Sequence, residues 1–259
     1  MRRLPGADLA RLELYMSDEA TEIRVNFGRP MPVFPLASVT LMPHAVLPVH
    51  IFEPRYRQMV AEALDGPGQI AMAVFEGERG VEECHGQPPV RPAVCVGQIV
   101  QHQKLPDGRY NVALHGVCRA KILQELPPDG ERPYRLALLE PVGLSDGDET
   151  VLQLARERLV EALDSAPLAD LRAAEEIVKL LRRDEEPVPM SAVLELVTVS
   201  LLRDAENKYY NELHYRLLAE GDVAMRAATI ENELASLAAL LRRAEPQRRQ
   251  EAPKGVSWN

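Results

Sequence analysis

The chain changes character once, at Ser145-Asp-Gly-Asp-Glu149, and that change limits its fold more than any other feature. Upstream, from Met31 to about Val142, short apolar runs of strand length are separated by Pro and Gly: PVFPL, VTLM, AVLPVHIF, QIAMAVF, PAVCVGQIV, RYNVAL, VCRAKIL and YRLALLEPV. This pattern predicts a mostly β domain. Downstream, nearly everything to Arg243 carries helical periodicity. Strands followed by helices, rather than alternating with them, predict an α+β fold. At 259 residues the chain is long enough for two modest domains, each with its own core.

Within the β region, Pro106-Asp107-Gly108 separates QIVQHQKL from RYNVALHG. Proline presets φ, aspartate can bond its own backbone and glycine supplies a positive-φ position, so a hairpin turn is expected there. Tyr110, Val112 and Leu114 alternate with Asn111, Ala113 and His115, giving one apolar and one mixed face. Gly116 then interrupts before Val117, where a bulge would bend the sheet toward a barrel. One helix breaks into this region. Pro54 suits a first helical position, Tyr56, Met59, Val60, Ala63 and Leu64 follow at helical spacing, and Asp65-Gly-Pro-Gly68 is the stop.

In the second half Asp148 can cap VLQLARERLVEAL, which places Leu152, Ala155, Leu159 and Leu163 on one face. LADLRAAEEIVKLLRR repeats the pattern with Leu171, Ala174, Val178 and Leu181. Pro187 and Pro189 precede SAVLELVTVSLL, apolar nearly all round and therefore expected as the buried central helix of a bundle. NKYYNELHYRLL carries Tyr210, Leu213 and Leu217 as its stripe. Gly221 and Asp222 read as stop and start, glycine in the left-handed position after one helix and aspartate capping the next. The last helix carries Val223, Ala227, Ile230, Leu234, Leu237 and Leu241, a seam that requires a packing partner, within the bundle or in a homo-oligomer. The tail from 245 to 259 has Pro, clustered charge and little apolar content, and is expected to be disordered.

A formal net charge of −9 opposes sequence-independent binding to phosphate backbones or anionic membranes, and no concentrated basic surface is evident in the first 240 residues. Neither nucleic acid nor membrane is an expected partner. Cys84, Cys95 and Cys118 form no paired framework, as expected for a cytoplasmic protein with reduced thiols. Arg2 and Arg3 are not followed by an apolar stretch, so the first residues are no secretory signal, and no apolar run is long enough to span a membrane. Met16 opens a polar lead-in and is an alternative start to Met1.

Chemistry-bearing motifs are scarce. There is no G-x-x-x-x-G-K-[ST] run to cradle phosphates, and no serine has an evident base beside it in the sequence. His44 and His50 are six apart across proline-broken backbone and cannot share a helix face, and Cys84-His85 is a single ligand pair where a structural zinc site needs two. No metal site and no cofactor are expected. Acid–base groups crowd only around His50, Glu53, Arg55, Tyr56 and Arg57. As a dyad, His50 and Glu53 would be a base and its orienter. As a corner, Glu53 marks a helix entry and is favoured by the helix dipole.

The run PVFPLASVTLMPHAVLPVHIFEPRYRQMV resembles the opening of the N-terminal domain of Lon proteases, with its Phe-Pro-Leu and its Leu-Pro-x-His-Ile-Phe-Glu-x-Arg-Tyr stretch. VGQIVQHQKLPDGRYNVALHGVCRAKI and PYRLALLEPV are similar to the later strands of that domain, a PUA-like β-barrel, and NELHYRLLAEGDVAMRAATIENELASL to the helical region after it. The resemblance implies an N-terminal extension over 1–29, a PUA-like β-barrel over 30–143 and a helical bundle over 144–244. Lon proteases continue into an ATPase and a Ser–Lys peptidase domain that this sequence does not contain, so a freestanding, non-catalytic recognition part is implied. Its expected partners are unfolded or degron-bearing proteins and an ATP-dependent protease that it serves as adaptor or regulator. Peptide contact is expected at the turn Met42, Pro43, His44, an adaptable thioether beside a corner, and at Arg55, which would hold a carbonyl or carboxylate. The alternatives are a small hydrolase using His50 and Glu53, and an RNA-binding PUA-like protein.

Overall fold

A computed structural model describes residues 23–37, 39–77, 88–126, 128–143, 147–183, 187–203 and 207–251, with backbone only over 245–251. Six strands come first: β1 Met31–Leu36, β2 Val46–Ile51, β3 Gln69–Val74, β4 Ala93–Lys104, β5 Tyr110–Leu126 and β6 Leu136–Pro141. Helix α1, Pro54–Leu64, interrupts them with Pro54 in its first turn as expected, and buries Tyr56, Met59, Val60 and Ala63. The strand order is β2-β5-β4-β3-β1-β6, and β6 pairs again with β5, so the pairings β5–β4–β3–β1–β6–β5 form a closed ring. Strand β1 runs parallel to β3, and the other pairs are antiparallel.

Ring closure depends on β5, which serves two neighbours along one edge. Its first part pairs with β2, from Tyr110 opposite Ile51 to His115 opposite Val46, and its last part pairs with β6 from Ala120 onward. The change of neighbour falls at the expected bulge. Val96 faces Cys118 and Gly97 faces Gly116, so Val117 is the extra residue. Two further register shifts leave out Val100 on β4 and Leu123 on β5. Both are exposed, because a bulged residue is turned away from the alternation that would have buried it. Gly116 is also where the loop before β2 crosses the sheet: a Cβ there would lie 2.1 Å from the Met42 carbonyl oxygen, so no larger residue fits.

Strand β3 shows why both faces are apolar. Ile70, Met72 and Val74 join a large cluster with α1 and the helices, whereas Ala71 and Ala73 join a smaller one with Val33, Val94, Val96, Ala120 and Ala137. The smaller cluster also takes in Val25 and Phe27, so packing against the sheet begins before residue 30, inside the segment expected as an extension.

The helices are α2 Glu149–Leu163, α3 Arg172–Leu181, α4 Met190–Leu201, α5 Lys208–Ala219 and α6 Val223–Glu251, with a 3₁₀ turn at Leu168–Asp170. Asp148 caps α2 as expected, accepting from the amides of Thr150 and Val151. Helix α4 has no exposed residue between Met190 and Leu202, and it packs on α3 and α6. The seam of α6 is covered by α2 and α4, with Val223, Ala227, Ile230 and Leu234 buried. Helix α6 runs past residue 244 to Glu251, into the segment expected to be disordered, while 252–259 and Cys84-His85 lie outside the described residues. Asp222 caps α6 through the amides of Ala224 and Met225. Gly221 has a different reason from the one expected. It is not among the positive-φ glycines; a Cβ on it would lie 2.9 Å from Val142 Cγ1, and one on Gly143 would lie 2.8 Å from the Gly221 oxygen. The close approach of two backbones, not helix termination, demands glycine there.

Candidate functional site

The four residues expected at a peptide surface do not converge. Met42 is 1% exposed and belongs to the core, which removes it as a contact. Pro43 is buried with Met42, whereas His44, at a left-handed φ of 62°, keeps an exposed surface. Burial, with Arg119 nearby, lowers the His44 pKa, and burial with His44 nearby lowers that of His115. These residues lie before β2, while Arg55 lies beyond its other end; six residues of strand separate the two by roughly 20 Å. The loop is fixed because His44 N–H donates to the Gly116 carbonyl and Gly116 N–H to that of Ala45.

At the far end of β2, His50 and Glu53 have separate partners. His50 Nδ1 lies 2.7 Å from Asn111 Oδ1, and its Nε2 lies 3.3 Å from Arg109 Nη1. Since an arginine can only donate, Nε2 accepts and the proton sits on Nδ1. Glu53 instead accepts from Arg55 Nε at 2.9 Å, and the Arg55 guanidinium lies 4.6 Å from the Tyr56 ring centroid. The base–orienter arrangement is therefore replaced by a corner in which each ionisable group is held by another neighbour. Among the described residues no group of three or more His, Cys, Asp or Glu side chains is placed to hold a metal ion.

A separate concentration of charge, this one buried, lies where the helices meet the sheet. Arg119 on β5 and Arg226 on α6 both donate to Oε1 of Glu195 on α4, Arg226 at 2.9 Å. Burial pushes the Glu195 carboxyl up while both arginines pull it down, and burial beside Arg119 lowers Arg226 to about 10. Oε2 of Glu195 and Nε of Arg226 are buried without a hydrogen-bond partner among the described residues. Arg119 Nε also donates to the Leu217 carbonyl at the end of α5. The sequence carried one signal for this cluster: a lone glutamate inside the otherwise apolar SAVLELVTVSLL.

Beside it, Arg91 makes two parallel bonds to Glu212, at 2.7 and 2.9 Å, and its guanidinium lies 3.3 Å from the Tyr215 ring centroid. Ala93 N–H donates to the Tyr215 hydroxyl at 2.9 Å, tying the start of β4 to α5. A groove of about 670 Å³ opens here, with Tyr215, Leu217 and Met225 as apolar lining and Arg91, Arg216 and Glu233 as charged lining. Glu233 is already engaged, accepting from Tyr209 Oη at 2.6 Å with Arg216 3.6 Å away.

No helix among the described residues is long and apolar enough to cross a membrane. Comparison with known proteins agrees with the resemblance seen in the motifs. Residues 30–236 match the family model of the ATP-dependent protease La (LON) substrate-binding domain. The Lon protease of Haemophilus influenzae is 29% identical over 164 residues, which are 62% of this chain and 19% of that protein. That of Escherichia coli K12 is 31% identical over 126 residues, 47% of this chain and 15% of the relative. The chain thus spans about a fifth or less of the length of these relatives. Among solved structures, the N-terminal domain of Mycobacterium avium complex Lon protease superposes with a TM-score of 0.57 at 16% identity, covering 80% of this chain and 98% of that one. A Lon N-terminal domain protein from Xanthomonas campestris does so at 0.51 and 18%, with the same coverage. The chain belongs to the family of the LON substrate-binding domain.

Proposed function

We propose that this protein is a non-catalytic recognition module that binds unfolded or degron-bearing protein segments in the cytoplasm and presents them to, or regulates, an ATP-dependent protease. The observation that carries the reading is the match of residues 30–236 to a substrate-binding domain. On this reading the closed ring of strands is the PUA-like barrel, and the C-terminal helices form a bundle locked against it through Glu195. His50 and Glu53, each held by other partners, then serve the corner that ends β2 rather than a reaction. Binding is expected to be weak and reversible, because an extended client loses conformational entropy on docking.

The test is retention of a permanently unfolded protein, reduced and carboxymethylated α-lactalbumin, on the immobilised chain at moderate salt. Retention of the unfolded form over the native one supports the reading. Equal passage of both overturns it.

A further inference from the structure

We propose that the corner where β2, the β4–β5 turn and α1 meet is a docking surface for acidic, apolar-flanked segments of client chains. This deepens the recognition reading above and rests on it. The sequence shows no basic run here, because the cations come from separated positions: Arg55 and Arg57 on α1, Lys104 at the end of β4 and Arg109 after the turn. The fold gathers these four around two carboxylates, Glu53 and Asp107. On a chain of formal charge −9, that corner is locally positive.

The cations are also held in place. Arg109 Nε donates to Asp107 Oδ2 at 2.6 Å, and its Nη1 reaches His50 Nε2 at 3.3 Å, so its plane is fixed from two sides. Arg57 Nη1 donates to the Asp107 backbone carbonyl at 3.1 Å, a bond to a neutral acceptor that leaves its charge intact. A guanidinium fixed before binding loses less rotamer freedom when a carboxylate arrives, and its planar fork suits two oxygens. Beside them Phe52 is 58% exposed, its ring stacked on His50 at 6.4 Å between centroids. An exposed aromatic ring next to fixed guanidiniums matches a carboxylate with an apolar neighbour, the ring covering the apolar side chain while the arginines take the charge. Strand β2 pairs with β5 along one edge, and its other edge has no strand partner among the described residues, leaving backbone groups for an extended segment to bond. Pro48 lacks an N–H and so limits that edge to partial pairing.

A nucleic acid fits less well. Binding to phosphate backbones draws on roughly 6–10 neutralised phosphates in a typical site, and a corner of four cations and two carboxylates on an acidic chain supplies too few. An acidic peptide needs only one or two of these contacts.

Fluorescence anisotropy tests the proposal with two labelled 14-residue peptides, one alternating Glu with Leu and one alternating Lys with Leu, and with a labelled single-stranded RNA of similar length. The native chain should bind the Glu peptide roughly tenfold more tightly than the Lys peptide, and less tightly as salt rises. The double variant Arg57→Glu, Arg109→Glu should reverse that preference, and Phe52→Ser should weaken the Glu peptide alone. Arg242→Glu, on α6, serves as a charge control. Equal binding of both peptides, or tighter binding of the RNA, would overturn the proposal. If the double variant still retains unfolded α-lactalbumin like the native chain, this surface falls and the recognition reading stands; if the native chain retains none, the reading itself has failed.

Discussion

Arg226 on α6 donates from Nη1 to Oε1 of Glu195 on α4 at 2.9 Å, with both side chains buried. Arg119, reaching in from β5, shares the same oxygen. One carboxylate thus separates two like charges that come from the sheet and from the last helix, and it fixes how the two parts sit together. Isolated buried ions are costly, so removing the shared partner leaves two uncompensated guanidiniums.

Glu195→Ala is therefore expected to lower unfolding free energy by about 3–5 kcal/mol. Arg119→Leu combined with Glu195→Leu and Arg226→Leu should cost much less, because no charge is left buried. Urea unfolding followed by circular dichroism measures both. A single variant as stable as the native chain would mean that the arginines find other partners.

Arg91 makes two bonds to Glu212 and covers the Tyr215 ring, and its side chain is 27% exposed. With solvent screening allowed for, Arg91→Ala should cost about 1–2 kcal/mol. Arg91→Lys should recover little of this, since an ammonium supplies neither the fork nor the planar stack. Thermal melts of the three proteins decide it; full recovery by lysine would show that only charge matters.

Gly116→Ala places a Cβ 2.1 Å from the Met42 carbonyl oxygen and 2.8 Å from its carbon, both backbone atoms. The crossing loop must move, at an expected cost of about 3 kcal/mol or more. Gly130→Ala meets nothing within 4 Å and should be nearly neutral. Paired melting temperatures check the contrast.

His44, His115 and His214 all have pKa values lowered mainly by burial. A histidine with a depressed folded pKa binds its proton more readily when unfolded. Its stabilising contribution is present above the unfolded value of 6.5 and is lost as pH falls toward the folded one. Stability should decline between pH 6.5 and 5, a range in which carboxylates with an ordinary value of 4.5 stay largely ionised. His44→Asn, which tolerates the left-handed φ, should flatten that decline. Urea midpoints across the range measure it, and an unchanged slope would remove His44 as a contributor.

Much of the architecture was legible because it follows from local rules. Pro54 opens α1, Asp148 and Asp222 cap α2 and α6, and Val117 is the bulge that follows Gly116. Each needs only the backbone preferences of one or two residues. Met42 was misjudged as a contact for the complementary reason: a thioether in a proline-flanked turn has the same local signature whether the turn faces water or, as here, folds down onto Gly116.

Period, proline, glycine and capping residues were enough to divide this chain into a strand region and a helical region, and to mark most element ends. Those signals act within a few residues. Tertiary structure alone decided that Gly221 answers to Gly143, that Arg119 and Arg226 share Glu195, and that four scattered cations gather at one corner. These are contacts between residues tens of positions apart, set by how the ring closes and how the helices settle on it, and burial then turns an ordinary charge or a missing methyl group into a requirement.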